Sequence, residues 1–514
     1  MRRLAVLAVA LIAVFGMVVP AMAQAPAPKV TINGLIDQIG TATSNMSKYD
    51  IDYGRARDDE LYGRTRGRFD IVGEVGRAKA VLGFEIDAYY GQTSATDKNV
   101  SSGTALGSTQ GSGANAGFDL NTDVNGIIEV KWLYTEFPMF LIPDTTVRLG
   151  AQPFGSAATY KLAAYANGDY AGVNWVTRFG PPAALNLTYV QVEEELTGTD
   201  FYRTAGVGAP RGEDWAVIAS FDFSPFKGLD IKPMYSYFHA SGVTNGSARQ
   251  GRGGVSTAAF TTGDVEARHT IGVDARWTAG PISVHPTVLY QFGSRDVSCT
   301  VATCGTGTTT GDADISAWFI DVRAGFQVGP LTLSAMGLYT SGNKAGDNLG
   351  DKVRFYQPIN TDTSYGADWG TQIYSLGIDY FNILYSPIGG LNPGVAIGYD
   401  RYGRMGGGLK AAYAFTPALT LGAAVTAFWT AQKVDTDSTL SAAGGLAPTS
   451  GGDDRYLGTE ANVSMTYRFA PGVTFDLAGG YLFAGDALGY ASARSSTSDP
   501  ENVAIGTARV RFAF

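Results

Sequence analysis

The sequence predicts an all-β protein: a single transmembrane antiparallel β-barrel of about eighteen strands, with sixteen or twenty left open. Three observations predict it. Apolar and polar residues alternate through segments of roughly ten residues, long enough to cross a bilayer when tilted. Tight Gly/Pro turns and long polar loops join these segments by turns, so short connections gather at one end and long ones at the other. Aromatic residues collect at both ends of the segments, as they do at the two lipid–water interfaces. The composition agrees. The 514 residues include 67 Gly and are 12% aromatic but only 17% charged.

The chain opens Met1-Arg2-Arg3, runs apolar from Leu4 to Val19, and reaches Ala21-Met22-Ala23 before Gln24. A basic start, a short apolar core and small residues at the cut site make a secretory signal peptide, residues 1–23, with cleavage after Ala23. The run is short for a membrane-spanning helix. Gln24 stands where a lipoprotein would carry Cys. Residues 24–29 form an Ala/Pro tether, and the barrel occupies residues 30–514. Beyond residue 23 no apolar run is long enough to be a transmembrane helix. The formal net charge is −9, which argues against a nucleic-acid partner.

The short turns fall at Gly76-Arg77, Pro138 to Asp144, Gly180-Pro181-Pro182, Pro225 to Gly228, Gly280-Pro281, Gly329-Pro330, Thr416-Pro417 and Pro471-Gly472. The long loops centre on Asn45 to Glu60, Gly91 to Asn121, Ser156 to Asp169, Glu194 to Asp214, Ser241 to Glu266, Ser294 to Asp314, Ser341 to Gly370, Val434 to Arg455 and Gly485 to Glu501. Thr371 to Lys410 is the least regular stretch: loop, helix or an extra hairpin. It is the source of the open strand count.

Between the connections, side chains of a strand turn to opposite faces. In Arg268 to Thr278, His269, Ile271, Val273, Ala275 and Trp277 share one face, against Arg268, Thr270, Asp274 and Arg276. In Ser316 to Val328, Trp318, Ile320, Val322 and Phe326 oppose Asp321, Arg323 and Gln327. In Tyr456 to Phe469, Leu457, Ala461, Val463, Met465, Tyr467 and Phe469 oppose Glu460, Asn462, Ser464 and Arg468. The apolar faces end in Phe179, Phe223, Trp277, Phe415, Phe469 and Phe514 near short turns. Near long loops stand Tyr90, Tyr290, Phe292, Tyr339, Trp429 and Phe483. Two aromatic rows assign the apolar faces to lipid and the polar faces to a lumen.

The stretch Asn502 to Phe514 carries the same pattern to the last residue. Ala508, Val510, Phe512 and Phe514 share one face; Thr507, Arg509, Arg511 and Ala513 the other. An amphipathic final strand ending in Phe resembles the closing strand of bacterial outer-membrane porins. That resemblance implies a cell outer membrane location and contact with its lipid and lipopolysaccharide. It implies assembly through machinery that reads the strand ending at Phe514. It further implies a homotrimer, and passive diffusion of small hydrophilic solutes and ions through a water-filled channel. Porins often fold their third long loop into the barrel, which by order is Ser156 to Asp169, with Tyr160, Lys161, Tyr165 and Asp169.

Arg64, Arg66 and Arg68 recur at period two and share a face, with Phe69 and Ile71 on the other. Glu85 and Asp87 lie on the polar face of the next strand. A type II′ turn at Gly76-Arg77 sets Arg68 opposite Glu85 and Arg66 opposite Asp87. Glu129, Lys131, Arg148 and Arg178 follow on neighbouring polar faces. Closing the barrel brings Arg509 and Arg511 to the same side. These eleven residues are proposed to line the pore, either as selectivity charges or as a solvated salt-bridged wall. Cys299 and Cys304 share one long loop, and export favours a disulfide between them. A metal site would need further ligands, and no His lies close.

No catalytic constellation, haem-attachment motif, metalloprotease motif or phosphate-binding loop occurs, so the sequence predicts neither an enzyme nor a cofactor. Two other readings stay open. One is a substrate-specific channel for a sugar or organic anion. The other is a structural barrel that anchors a surface layer or sheaths an electron-transfer partner.

Overall fold

The computed structural model describes residues 27–45, 59–90, 128–154, 164–193, 214–241, 265–299, 309–347, 351–361, 371–374, 377–379, 401–434, 452–488 and 500–514. The signal peptide and the start of the tether lie outside these residues, as do Cys304 and the side chain of Cys299.

Alternation turns into strands almost throughout. In chain order they are β1 (Lys29–Ser44), β2 (Asp59–Val75), β3 (Ala78–Tyr89), β4 (Ile128–Pro138), β5 (Thr145–Phe154), β6 (Ala166–Arg178) and β7 (Ala183–Glu193). Then come β8 (Asp214–Phe226), β9 (Leu229–Ser241), β10 (Val265–Ala279), β11 (Ile282–Cys299), β12 (Thr309–Val328) and β13 (Leu331–Thr340). Two-residue pieces follow, β14 (Lys352–Val353) and β15 (Asn360–Thr361). The last are β16 (Arg404–Ala414), β17 (Leu419–Val434), β18 (Asp454–Ala470), β19 (Val473–Ala484) and β20 (Val503–Ala513).

Each long strand pairs antiparallel with its neighbours in sequence. β13 pairs directly with β16, Leu331 opposite Tyr413 and Thr340 opposite Arg404. The irregular stretch therefore contributes no hairpin to the wall, and the wall has eighteen strands. β20 pairs with β1, from Leu35 opposite Ala513 to Ser44 opposite Ala504, and closes the barrel. Gly34 and Phe514 add reciprocal backbone hydrogen bonds of 2.9 and 3.0 Å at that seam. Closure leaves no long sheet edge unpaired among the described residues.

All eight short connections lie where the Gly/Pro signals put them. At the first, Val75 pairs with Ala78, Gly76 has φ +60°, and Arg77 is not left-handed, as a type II′ turn requires.

The outward face is apolar: Trp277, Trp318, Val322, Phe326, Val510 and Phe512 are exposed to the surroundings. Asp37, Thr270, Asp274, Asp321 and Thr426 are buried within. Toward the long-loop end, outward rings form a chain across six strands, β7 to β12. Centroid separations are 6.3 Å for Tyr189–Trp215, 5.5 Å for Trp215–Tyr237 and 5.0 Å for Tyr237–His269. They continue at 5.0 Å for His269–Phe292, 5.9 Å for Phe292–Tyr290 and 4.5 Å for Tyr290–Trp318. At the short-turn end, Phe415, Phe469 and Phe514 each pack on the aromatic two residues before them. Tyr and Phe at these levels offer an apolar body with a wet edge.

Strict alternation fails at one position it assigned to lipid. Leu457 is fully buried, because the register slips there: Phe428 pairs with Gly458, but Trp429 with Tyr456. The bulge turns Leu457 inward, and Gly458 takes φ +131° to make it. A second slip lies between Gly83 and Phe84, whose partners are Trp132 and Val130. Lys131 is the extra residue, so Leu133 beyond it faces out.

The interior also departs from a uniformly polar lining. Toward the long loops, Ile218, Phe238, Leu289 and Phe319 point inward and are buried against Tyr165, Tyr356 and Ile359. An apolar core of this kind forms because chain from the loops folds into the barrel and covers the wall.

Candidate channel lumen and constriction

The arginine row follows from β2 alone, and its partners follow from the tight turn. Arg68 sits opposite Glu85 and Arg66 opposite Asp87. Glu85 is 3% exposed and serves three cations. Arg66 reaches it diagonally at 2.9 Å, Lys131 at 3.2 Å, and Arg68 donates through Nε. These are charge-assisted bonds, and they fix three cations around one carboxylate. Asp87 and Glu129 have described backbones, Glu129 opposite Glu85, but their side chains lie outside the described residues.

Arg148 continues the arc on β5. It forks onto Glu136 at 3.0 and 2.7 Å and lies 4.6 Å from the Tyr134 ring centroid. Glu136 also receives Lys79 at 2.8 Å. Arg178 is exposed at the short-turn rim, where its N–H donates to the Asp144 carbonyl at 3.0 Å. Across the seam, Arg511 forks onto Asp37 at 2.7 and 2.6 Å, and Arg509 onto Asp476 at 3.0 and 2.8 Å. Each pair is directly opposite in register. The structure thus gathers Arg66, Arg68, Glu85 and Lys131 into one cluster, sets Arg148 with Glu136, and gives Arg509 and Arg511 their own acids.

Arg64, the row's member nearest the long loops, has a different partner. It is 1% exposed and meets Asp379 at 2.8 Å. Asp379 also accepts hydrogen bonds from Thr41 and Tyr62, each 2.7 Å. Asp379 belongs to the connection between β13 and β16, so Arg64 holds folded-in chain against the wall.

Other parts of that connection are fixed just as firmly. Gln291 pairs with both backbone groups of Gln357: its amide donates to the carbonyl at 2.7 Å and accepts from the N–H at 2.9 Å. Arg268 and Arg295 both donate to the Gln357 side chain, at 2.6 and 2.7 Å, and both pair with buried Glu266, at 2.9 and 2.6 Å. Glu460 accepts the backbone N–H groups of Gln372, Ile373 and Tyr374 at 2.7, 2.9 and 2.7 Å.

The described end of the third long loop is also inside. Tyr165 is buried and donates to Ser236 at 2.8 Å. Its carbonyl accepts the N–H of Ile359, 2.8 Å away. Tyr356 donates to the Ala164 carbonyl at 2.9 Å, and burial raises its hydroxyl well above the ordinary value, keeping it a neutral donor. Tyr160, Lys161 and the side chain of Asp169 lie outside the described residues. Described residues of the β13–β16 connection are infolded too, although the sequence reads it as the long loop Ser341 to Gly370 followed by a stretch open to loop, helix or hairpin. Asp37, Asp476 and Glu460 stand on polar faces in the alternation, but nothing in the sequence marked them as partners.

No protein-family model matches the chain, and no curated protein matches it. Solved structures similar to it include OccK8 (OprE) of Pseudomonas aeruginosa, with a TM-score of 0.47 and 12% identity over 95% of this chain and 98% of that one. OpdQ of the same organism has a TM-score of 0.49 and 8% identity, covering 94% and 97%. OccAB4 of Acinetobacter baumannii has a TM-score of 0.47 and 10% identity, covering 94% and 98%. Likeness at this level assigns neither a solute nor a role to any side chain.

Proposed function

We propose that the chain is an outer-membrane porin: a water-filled channel through which small hydrophilic solutes and ions diffuse passively. The observation that carries this reading is the inversion of faces around a closed barrel. Its apolar and aromatic side faces outward, and its ionic side chains face a narrowed interior. A soluble barrel would bury the apolar face instead. Charges from Arg66, Arg68, Glu85, Lys131, Arg148, Arg509 and Arg511 make a wall that orients charged solutes. Export through residues 1–23, assembly through the strand ending at Phe514, contact with lipopolysaccharide and a homotrimeric state complete the proposal. Liposome swelling in sugars of increasing size tests it. Swelling should occur with small sugars and stop above a size limit; absence of swelling with every solute, from correctly folded barrels, would reject it.

A further inference from the structure

Strict alternation would turn Trp132 and Tyr134 to lipid, because Glu129 and Lys131 stand on the polar face of the same strand. The slip between Gly83 and Phe84 reverses this. Trp132 comes opposite Gly83 and Tyr134 opposite Val81, on the inward face of β3 that carries Lys79 and Glu85. Two rings therefore stand two residues apart on β4, inside the barrel and among its ion pairs. Both are partly exposed, and Val81 beside them is buried. The wall is shaped to seat the larger ring. A Cβ on Gly83 would lie 2.9 Å from Cε3 and 3.3 Å from Cβ of Trp132, so the indole is laid across a position that only glycine leaves open.

Polar groups frame this surface. Toward the long loops stand Arg68 and Lys131, both on Glu85. Toward the short turns stand Lys79 and Arg148, both on Glu136, with the Arg148 guanidinium 4.6 Å from the Tyr134 ring centroid. At the edge, the same Cβ on Gly83 would meet Asp70 Oδ1 at 2.9 Å, and Asp70 has no hydrogen-bond partner among the described residues.

We propose that Trp132 and Tyr134 form a stacking subsite for a pyranose ring, so that sugars are among the solutes that use this path. A pyranose has an apolar face of C–H groups and a rim of hydroxyls. The face suits the indole, and the rim meets donors and acceptors toward both ends of the barrel. An aromatic carboxylate has its polar group at one end only, which sets its apolar edge against the other cluster. Its charge also competes with Glu85 and Glu136 for cations already paired. The inference rests on the channel reading and adds a solute class to it, so its test includes a measure that needs no current.

Maltotriose and benzoate are the probes. Saturation-transfer NMR on purified barrels, in a detergent without a sugar headgroup, reports binding. Block of planar-bilayer current by maltotriose reports occupancy of the path. The parent is compared with Trp132→Ala, Trp132→Phe, Gly83→Val and Leu133→Ala, the last on the outward face. The parent should bind maltotriose saturably and be blocked by it. Trp132→Ala and Gly83→Val should each need at least about fivefold more sugar for both effects, while Trp132→Phe and Leu133→Ala stay within about threefold of the parent. No maltotriose binding by the parent, or unchanged binding by both Trp132→Ala and Gly83→Val in folded barrels, overturns the subsite. Benzoate binding without maltotriose binding overturns it as well. Trp132-dependent sugar binding beside a current that sugar does not block takes the rings off the path and overturns the proposal. Trp132-dependent sugar binding with no current from any protein, the parent included, upholds the subsite and rejects the channel reading.

Discussion

Glu85 is one carboxylate shared by Arg66, Arg68 and Lys131. Its neutralisation should therefore unmask cations. Glu85→Gln is expected to move the reversal potential in a salt gradient toward anions while outer-membrane levels stay normal. A shift toward cations would show that the cluster does not face the permeating ions. Arg64 carries a different expectation, although it shares the face and period of its neighbours. Arg64→Ala removes the cation paired with buried Asp379, which should destabilise the infolded chain by about 3–5 kcal/mol. The check is protease sensitivity of residues 371–379 in the intact barrel, which should rise. The sequence showed that the three arginines point one way. It could not show that one of them serves a residue more than three hundred positions away, because such a partner lies on no local pattern.

At the level of the element, period two carried most of the structure. Strand faces and the eight turns follow from alternation plus turn chemistry. The exceptions are bulges, where one extra residue reverses the faces beyond it. Leu457 looked lipid-facing because Gly458, which makes the slip possible, resembles any other strand glycine in sequence. Gly458→Val puts a branched side chain at φ +131°, with its Cβ 2.4 Å from the Phe483 carbonyl oxygen. It should cost about 1–3 kcal/mol, seen as a lower unfolding midpoint in urea. The terminal strand makes its own prediction. Phe514 bonds to Gly34 in both directions and its ring lies 6.2 Å from Phe69. Removing it should lower the amount of barrel in outer-membrane fractions more than it lowers the stability of barrels that do form. Equal losses of both would assign Phe514 to holding the seam alone.

For the molecule as a whole, the wall was legible and the filling was not. A wall strand announces itself by ten alternating residues. Residues 353–359 show no such period; the partners of Gln357 on β10 and β11 lie 62 to 89 positions away, and Ala164, the partner of Tyr356 just before β6, lies 192 away. The inner apolar core is hidden for the same reason: Phe238, Leu289 and Phe319 stand on inward positions that a bare lumen would leave wet. Two kinds of interior result. One sector is packed and dry, around Tyr165 and Tyr356. The other, β2 to β5 with β20 and β1, is lined by ion pairs. The central claim is that ions cross along this charged sector. Single-channel recording of the purified protein in a planar bilayer under a salt gradient, beside an Arg66→Ala/Arg68→Ala variant, tests it most directly. Discrete current steps are predicted for both proteins, with the reversal potential of the variant displaced toward cations. Folded barrels that give no steps, or a variant with the parent's reversal potential, would contradict it.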